Sequence, residues 1–197
     1  MAMELRQTFQ VKAPLGAVWA FLLDPQNVVA CMPGASLTQV IDEKSFVGAV
    51  KVKVGAVTAQ YQGTITYTGV DAAAGVVTML AEGKERGGGT VKGTIVSRLS
   101  SIEGGTATNV ETSSSFDLTG KIVQVGRGMI EGISAQIIKM YVGNVRAMLE
   151  PAAAAAANAT AAPVPPPREE SIDMAAVVAR TFWESVKGFF KRLFGRG

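Results

Sequence analysis

Between Ala35 and Leu118 the chain is a nearly unbroken series of strand-length segments rich in Val, Thr, Ile and Tyr, interrupted by glycine and bracketed by helical spacing. The segments cover about 36–42, 45–54, 57–70, 75–86, 90–102 and 106–118, and Gly55, Gly75, Gly87, Gly88, Gly89, Gly104 and Gly105 fall at or near the joins. Connections this short pair successive strands antiparallel, because a parallel pair needs a crossover of roughly a dozen residues or more. An antiparallel meander is therefore expected, and something else in the chain must cover one of its faces.

The flanks supply that cover. From Met3 to Val11 the apolar Met3, Leu5, Phe9 and Val11 alternate with Glu4, Arg6, Thr8 and Lys12, which predicts a further strand. Pro14 suits the first turn of a helix whose buried side is Val18, Trp19, Phe21 and Leu22. Asp24 and Pro25 end that helix and cap a shorter one through Met32, stopped by Pro33 and Gly34. Lys121 to Glu150 returns to helical spacing, with Ile122, Val125, Met129, Ile133, Ile137, Met140, Val145 and Met148 three or four residues apart for the most part. Strand, two helices, six strands and a long helix together predict an α+β chain. Its antiparallel seven-stranded sheet curls around the C-terminal helix in the helix-grip, or START-like, architecture.

Composition narrows the chemistry. At 48% hydrophobic and 18% charged, the 197 residues hold enough apolar mass for one core and too little charge for disorder. There is no histidine and one cysteine, Cys31, which removes Ser-His-Asp triads, histidine-containing metal sites and intrachain disulfides. Cys31 itself reads as a small buried hydrophobe. A net charge of +3 is too small for a nucleic-acid binder. The N-terminus has no basic stretch followed by an apolar run, so a cytoplasmic location is expected.

The face of the sheet expected to point inward carries many small residues. It reads Phe46, Gly48, Val50 and Val52, then Tyr61, Gly63, Ile65 and Tyr67. On later strands it continues as Val91, Gly93, Ile95, Ser97 and Leu99, then Val110, Thr112, Ser114 and Phe116. A sheet packed on a helix normally fills the interval at crystal-like density, and these glycines and hydroxyl residues leave volume unfilled. A mostly apolar cavity with a few hydroxyls follows, suited to a greasy molecule with one polar end. The candidate ligand-binding residues are Trp19, Phe46, Val50, Tyr61, Gly63, Ile65, Tyr67, Met79, Gly93, Ser97, Thr112, Ser114, Phe116, Val125, Met129, Ile133 and Ile137. The alternative is that the glycines mark bulges that curl the sheet, with Trp19 or helix methionines filling the gap. Met129, Met140 and Met148 fit an adaptable lining or an ordinary core equally.

Gly126, Gly128 and Gly132 are not a nucleotide loop, since the spacing is G-x-G-x-x-x-G and no parallel βαβ unit surrounds it. They thin the first turns of the long helix, either for close packing or as a soft gate for a ligand.

After Glu150 the composition changes abruptly, to Pro151, six alanines and the cluster from Pro163 to Pro167. Residues 151–170 are expected to be an Ala/Pro-rich linker between a ligand-binding domain at 1–150 and a third segment at 171–197. Residues 1–150 carry 13 basic and 12 acidic side chains, whereas 168–197 carry 6 and 4. The basic excess is therefore concentrated in the tail. Helical periodicity resumes there, with Ser171 as a cap and Asp173 in the first turn. One face holds Val178, Phe182, Trp183, Val186, Phe189, Phe190, Leu193 and Phe194, and the other Arg180, Glu184, Lys187, Lys191 and Arg192, with Arg196 beyond. Charges interrupt the span of about 20 apolar residues that a crossing helix needs, so the expectation is an amphipathic helix lying on the bilayer surface. The expected membrane contacts are Phe182, Trp183, Val186, Lys187, Phe189, Phe190, Lys191, Arg192, Leu193, Phe194 and Arg196. Docking on a partner protein is the alternative.

Several short stretches carry a family resemblance. They are Asp24 with Pro25; Cys31, Met32, Pro33, Gly34 and Ala35; Tyr61, Gln62 and Gly63; Gly87 to Gly89 with Gly93; and Gly120 through Gly126, Arg127 and Gly128. Through these, residues 3–150 resemble the CoxG family of carbon monoxide dehydrogenase subunits, a branch of the SRPBCC or START-like superfamily. The resemblance implies a non-catalytic accessory protein with no covalent cofactor, carrying a hydrophobic cargo such as a respiratory quinone, menaquinone or ubiquinone. It also implies a partner, a molybdenum-containing dehydrogenase such as carbon monoxide dehydrogenase, brought to the cytoplasmic membrane surface. Two rivals stand beside it: a recruitment adaptor with a filled core, and an aromatase or cyclase using Tyr61, Tyr67, Glu82, Lys84, Arg86 and Arg98 as acids and bases.

Overall fold

Alternating apolar and polar residues give each strand one face for the interior, and the pairing is regular except for register shifts between Leu37 and Gln39 and between Tyr67 and Gly69. The computed structural model describes residues 1–54 and 57–157 together with the pair Ile172–Asp173. In chain order the elements are β1 (Ala2–Val11), α1 (Leu15–Leu23), α2 (Pro25–Cys31), β2 (Ala35–Val40), β3 (Ser45–Val54), β4 (Val57–Asp71), β5 (Val76–Glu85), β6 (Thr90–Ile102), β7 (Ala107–Leu118), α3 (Arg127–Ala157) and β8 (Ile172–Asp173). Strands β1 to β7 form one sheet in the order β1-β7-β6-β5-β4-β3-β2, every neighbouring pair antiparallel. The meander, the two short helices and the long C-terminal helix are those expected, and the fold is the α+β helix grip.

The short helices turn on one residue. Asp24 closes α1 and, through its carboxylate, accepts the Gln26 backbone N–H at 2.9 Å to cap α2, with Pro25 at the first helical position. The long helix starts later than its periodicity predicted. Lys121–Val125 form a 3-10 turn, and Gly126, at φ 88°, holds a left-handed backbone that an α-helix cannot pass through. α3 therefore begins at Arg127. At its other end it runs on through Pro151 and the alanines to Ala157, the residues with the highest helix propensity.

Ile172–Asp173 is not the start of a helix but a strand, parallel to Val52 and Lys53 of β3. β2 begins at Ala35 opposite Val50, so it leaves this end of β3 uncovered, and β8 takes up backbone groups there. The rest of the expected linker and tail helix, 158–171 and 174–197, lies outside the described residues.

Buried apolar side chains fall into three clusters. The largest packs the C-terminal half of α3, through Val142, Val145 and Leu149, against Val18 and Phe21 of α1, Cys31, and Phe9, Val11, Leu99 and Val110 of the sheet. Polar ties hold this end as well: Asn144 Nδ2 donates to the Cys31 carbonyl at 2.9 Å and Arg146 Nε to the Gln10 carbonyl at 2.8 Å. A second cluster gathers Met3, Ala59, Ile122, Ile130 and Ile133 at the other end of the helix. The third, Val29, Phe46, Tyr67 and Val77, lies under α2 and the β3–β5 strands.

Gly48, Gly63 and Gly83 stand side by side on β3, β4 and β5, where the backbones approach closely enough to leave no room for side chains at Gly63. A Cβ on Gly63 would lie 2.5 Å from the Gly83 Cα and 2.9 Å from the Glu82 carbonyl carbon. Gly132 on α3 is the opposite case, since a Cβ there meets nothing within 4 Å. Gly63→Ala is thus expected to destabilise the protein by about 1–3 kcal/mol. Gly132→Ala should stabilise it by about 0.5–1 kcal/mol. Urea unfolding of the two variants checks the opposite signs; equal effects would contradict this close approach.

A candidate ligand-binding cavity between sheet and helix

The buried members of the three clusters are separate, with the partly buried Trp19 bridging the first and third. Between the clusters, bounded by the inner face of the sheet, α2 and the middle of α3, lies a cavity of about 470 Å³. Its walls are mostly aliphatic and aromatic, and Gly48, Gly63 and Gly83 form part of them. Ser97 Oγ and Thr112 Oγ1 lie 3.1 Å apart and are hydrogen-bonded to each other, one donating and one accepting.

Strand alternation located most of the wall. Phe46, Val50, Tyr61, Gly63, Ile65, Met79, Ser97, Thr112, Ser114, Phe116 and Ile137 all line the cavity. Six candidates do not. Gly93 points inward, but the ring of Phe116 lies across it, with Cε1 2.7 Å from where a Cβ would stand, so the ring and not the glycine is the wall. Tyr67 is consumed by structure: its hydroxyl donates to the Leu22 carbonyl at 3.1 Å and its ring packs on Phe46 at 6.2 Å, fastening α1 to β4. Trp19 packs between the first and third clusters.

The remaining three misplacements share a cause. Val125, Met129, Ile133 and Ile137 are four residues apart, and a strict four-residue step drifts about 40° per step around a helix of 3.6 residues per turn. Val125 precedes α3 and packs in the second cluster, Met129 is 54% exposed, and Ile133 is buried in the second cluster. Ser134, Ile137, Ile138, Tyr141 and Val142 are the helix residues that face the cavity. Spacings of three and four together would have found them, but Ser134 and Tyr141 do not register in an apolar count. Also missed were Leu5, Gln7 and Phe9 of β1, and Val28, Val29 and Met32 around α2. The glycines at 126, 128 and 132 have open space where a Cβ would be, so close packing does not require them.

A second, open groove of about 1060 Å³ runs along β3–β6 and shares Val50, Tyr61, Gly63, Gly83 and Val91 with the cavity. Its other walls mix apolar Val47 and Ala49 with charged side chains, Lys51, Lys84, Arg86 and Lys92 against Glu85 and against Glu82, which also borders the cavity. Lys92 is paired with Glu82 at 2.8 Å.

Desolvation governs the ionisable groups of the interior. Burial pushes the Cys31 thiol up to about 11, and the thiol lies 3.3 Å from the Met148 sulfur, as expected of a small core residue. Burial, and then Asp24, push Tyr67 up to about 12. Tyr141 is raised by burial, and Tyr61 by burial and then by the charge of Glu85. All these groups are neutral near pH 7. Among the described residues no group of three or more Cys, Asp or Glu converges as a metal site.

The profile of the CoxG family of carbon monoxide dehydrogenase subunits matches residues 8–150. No curated protein matches by sequence. Among solved structures, a conserved protein from Geobacillus kaustophilus superposes with a TM-score of 0.69 at 21% identity, covering 76% of this chain and 97% of its own. The Zhui aromatase/cyclase from Streptomyces sp. R1128 gives 0.57 at 15% identity, covering 76% and 94%. A START superfamily protein from Mycobacterium smegmatis gives 0.53 at 10% identity, covering 75% and 97%. Identities this low establish the shared fold and nothing about chemistry.

Space that is truly vacant accepts added side chain. Ser114→Leu is expected to stabilise the protein by about 1–2 kcal/mol, because the new methyl groups enter the cavity without displacing neighbours. Thermal unfolding of the lipid-stripped protein checks it, and a loss of about 1–3 kcal/mol, the usual overpacking penalty, would show the space already filled.

Proposed function

Since the chain belongs to the CoxG family of carbon monoxide dehydrogenase subunits, we propose that it is a non-catalytic accessory protein. On this reading it carries an isoprenoid quinone and serves a molybdenum-containing dehydrogenase such as carbon monoxide dehydrogenase at the cytoplasmic face of the membrane. The observation that carries the reading is the mostly apolar cavity of about 470 Å³, within the range of small-molecule sites. A prenyl chain is matched by such walls, and its removal from water is favourable by about 25 cal/mol per Å² of apolar surface. A filled-core adaptor has no use for this space. An enzyme of the cyclase kind fits less well: Tyr61 and Glu82 reach the cavity wall, but Glu82 is paired with Lys92, Tyr67 is bonded to Leu22, and Lys84 and Arg86 line the outer groove.

No helix among the described residues is long and apolar enough to cross a membrane. Membrane contact is assigned instead to the tail, whose five aromatics within 13 residues and terminal basic cluster suit a headgroup boundary. A tether between cavity and membrane raises the local concentration of each at the other, without any new contact.

Solvent extraction of the purified full-length protein, followed by mass spectrometry, is expected to yield an isoprenoid quinone near one per chain, and much less from Ile137→Trp. Phospholipid alone, or no lipid in stoichiometric amount, contradicts the cargo. In vesicle flotation, the full chain should bind anionic vesicles, and neutralising Lys187, Lys191, Arg192 and Arg196 should weaken binding by up to roughly 1 kcal/mol per charge. Binding that ignores both vesicle charge and these substitutions contradicts the tail's role.

A further inference from the structure

Among the described residues, two buried side-chain polar atoms have no hydrogen-bond partner, and they belong to neighbours: the Tyr61 hydroxyl and Glu85 Oε2. Tyr61 and Glu85 are directly paired across β4 and β5, and Glu85 is only 8% exposed. Folded proteins rarely leave such atoms unsatisfied, because a buried polar group without a partner forfeits its hydration and gains nothing in return. Two together mark a place where something else makes the bonds. Their position says what kind of molecule. Tyr61 belongs to the wall of both the cavity and the open groove, and Glu85 lines the groove beside it. They stand where the apolar interior gives way to the polar groove, the place for the polar end of a guest whose apolar part lies within.

The hydrogen-bonding sense of the pair is set by charge. Both Glu85 oxygens and the Lys121 ammonium converge on Gly87, at 2.7, 2.9 and 2.9 Å from where a Cβ would stand, so a cation accompanies the carboxylate. A carboxylate can only accept hydrogen bonds. The Tyr61 phenol, raised above its ordinary range by burial and by Glu85, keeps its proton and both donates and accepts. A guest presenting O–H groups satisfies both residues. A guest presenting only carbonyl oxygens can accept from Tyr61 but faces Glu85 Oε2 acceptor to acceptor.

We propose that Tyr61 and Glu85 form a head-group site for a phenolic hydroxyl, which donates to Glu85 Oε2 and is bonded to the Tyr61 hydroxyl. Resting on the quinone reading above, the protein then holds the reduced, quinol form of its cargo more tightly than the quinone. Such a preference raises the midpoint potential of the bound couple, by about 30 mV for each tenfold in affinity ratio of a two-electron couple. A bound quinone is in consequence a better electron acceptor than a free one.

The test is an anaerobic calorimetric titration of the lipid-stripped full-length protein with a methylated naphthoquinone bearing a short isoprenoid tail, and with its dithionite-reduced naphthoquinol. The quinol is expected to bind at least about tenfold more tightly, the effect of one hydrogen bond to a charged group. Glu85→Gln should abolish that preference, by weakening the quinol and by offering the quinone carbonyl an N–H donor in place of an acceptor, and Tyr61→Phe should weaken the quinol as well. Equal wild-type affinities for the two forms overturn the site while leaving the quinone reading intact. A preference that survives Glu85→Gln, or quinol binding untouched by Tyr61→Phe, overturns it too. Failure of both forms to bind overturns the quinone reading along with it. The wild-type ratio decides the matter even if a variant does not fold.

Discussion

Everything in this fold depends on a sheet that curls away from its covering helix faster than side chains fill the interval. Gly48, Gly63 and Gly83 stand in one row across β3, β4 and β5 and present hydrogen where a filled core would present leucine. The same absence of side chains lets the strands crease and empties the space beneath them. α3 is held at its ends, by the first cluster with its Asn144 and Arg146 hydrogen bonds and by the second cluster around Ile130, and its middle borders a void. A void in a protein interior normally costs stability in proportion to its volume. Its persistence beside well-packed clusters is the physical argument that a guest normally occupies it.

Much of this could be read before any coordinates, because the strand signal is local. The six central strands lie within a residue or two of their expected bounds, and period-two alternation put Phe46, Ile65, Ser97 and Ser114 on the inner face without reference to tertiary contacts. The helix was less legible. A helical face is defined by mixed spacings of three and four, so a list of apolar residues spaced by fours winds off it, taking Met129 to solvent and Ile133 into the second cluster. Glu85 was invisible for another reason: alternation predicts that a position points inward, and gives no hint that a carboxylate there will be left without a partner. Tyr67 looked like a wall residue because its bond to the Leu22 carbonyl depends on where α1 docks, a contact between distant segments.

The architecture separates two tasks that a carrier must reconcile. The stretch of α3 around Val145 is tied to α1, α2 and β1 by apolar packing and polar bonds, whereas the groove meets the cavity along Tyr61, Gly63, Gly83 and Val91. On the proposed reading, an apolar guest would be sheltered along most of its length with its polar end beside the groove.

The central claim is that the interval between sheet and helix is unoccupied by the protein itself. A high-resolution crystal structure of the full chain, purified without lipid stripping, tests it most directly. Elongated density running between the β4–β6 strands and the middle of α3, with its bulkier end beside Tyr61 and Glu85, is the result this account requires. Phe116, Ile137 and Tyr141 turned inward and meeting across the interval, with no continuous space left between them, would contradict it.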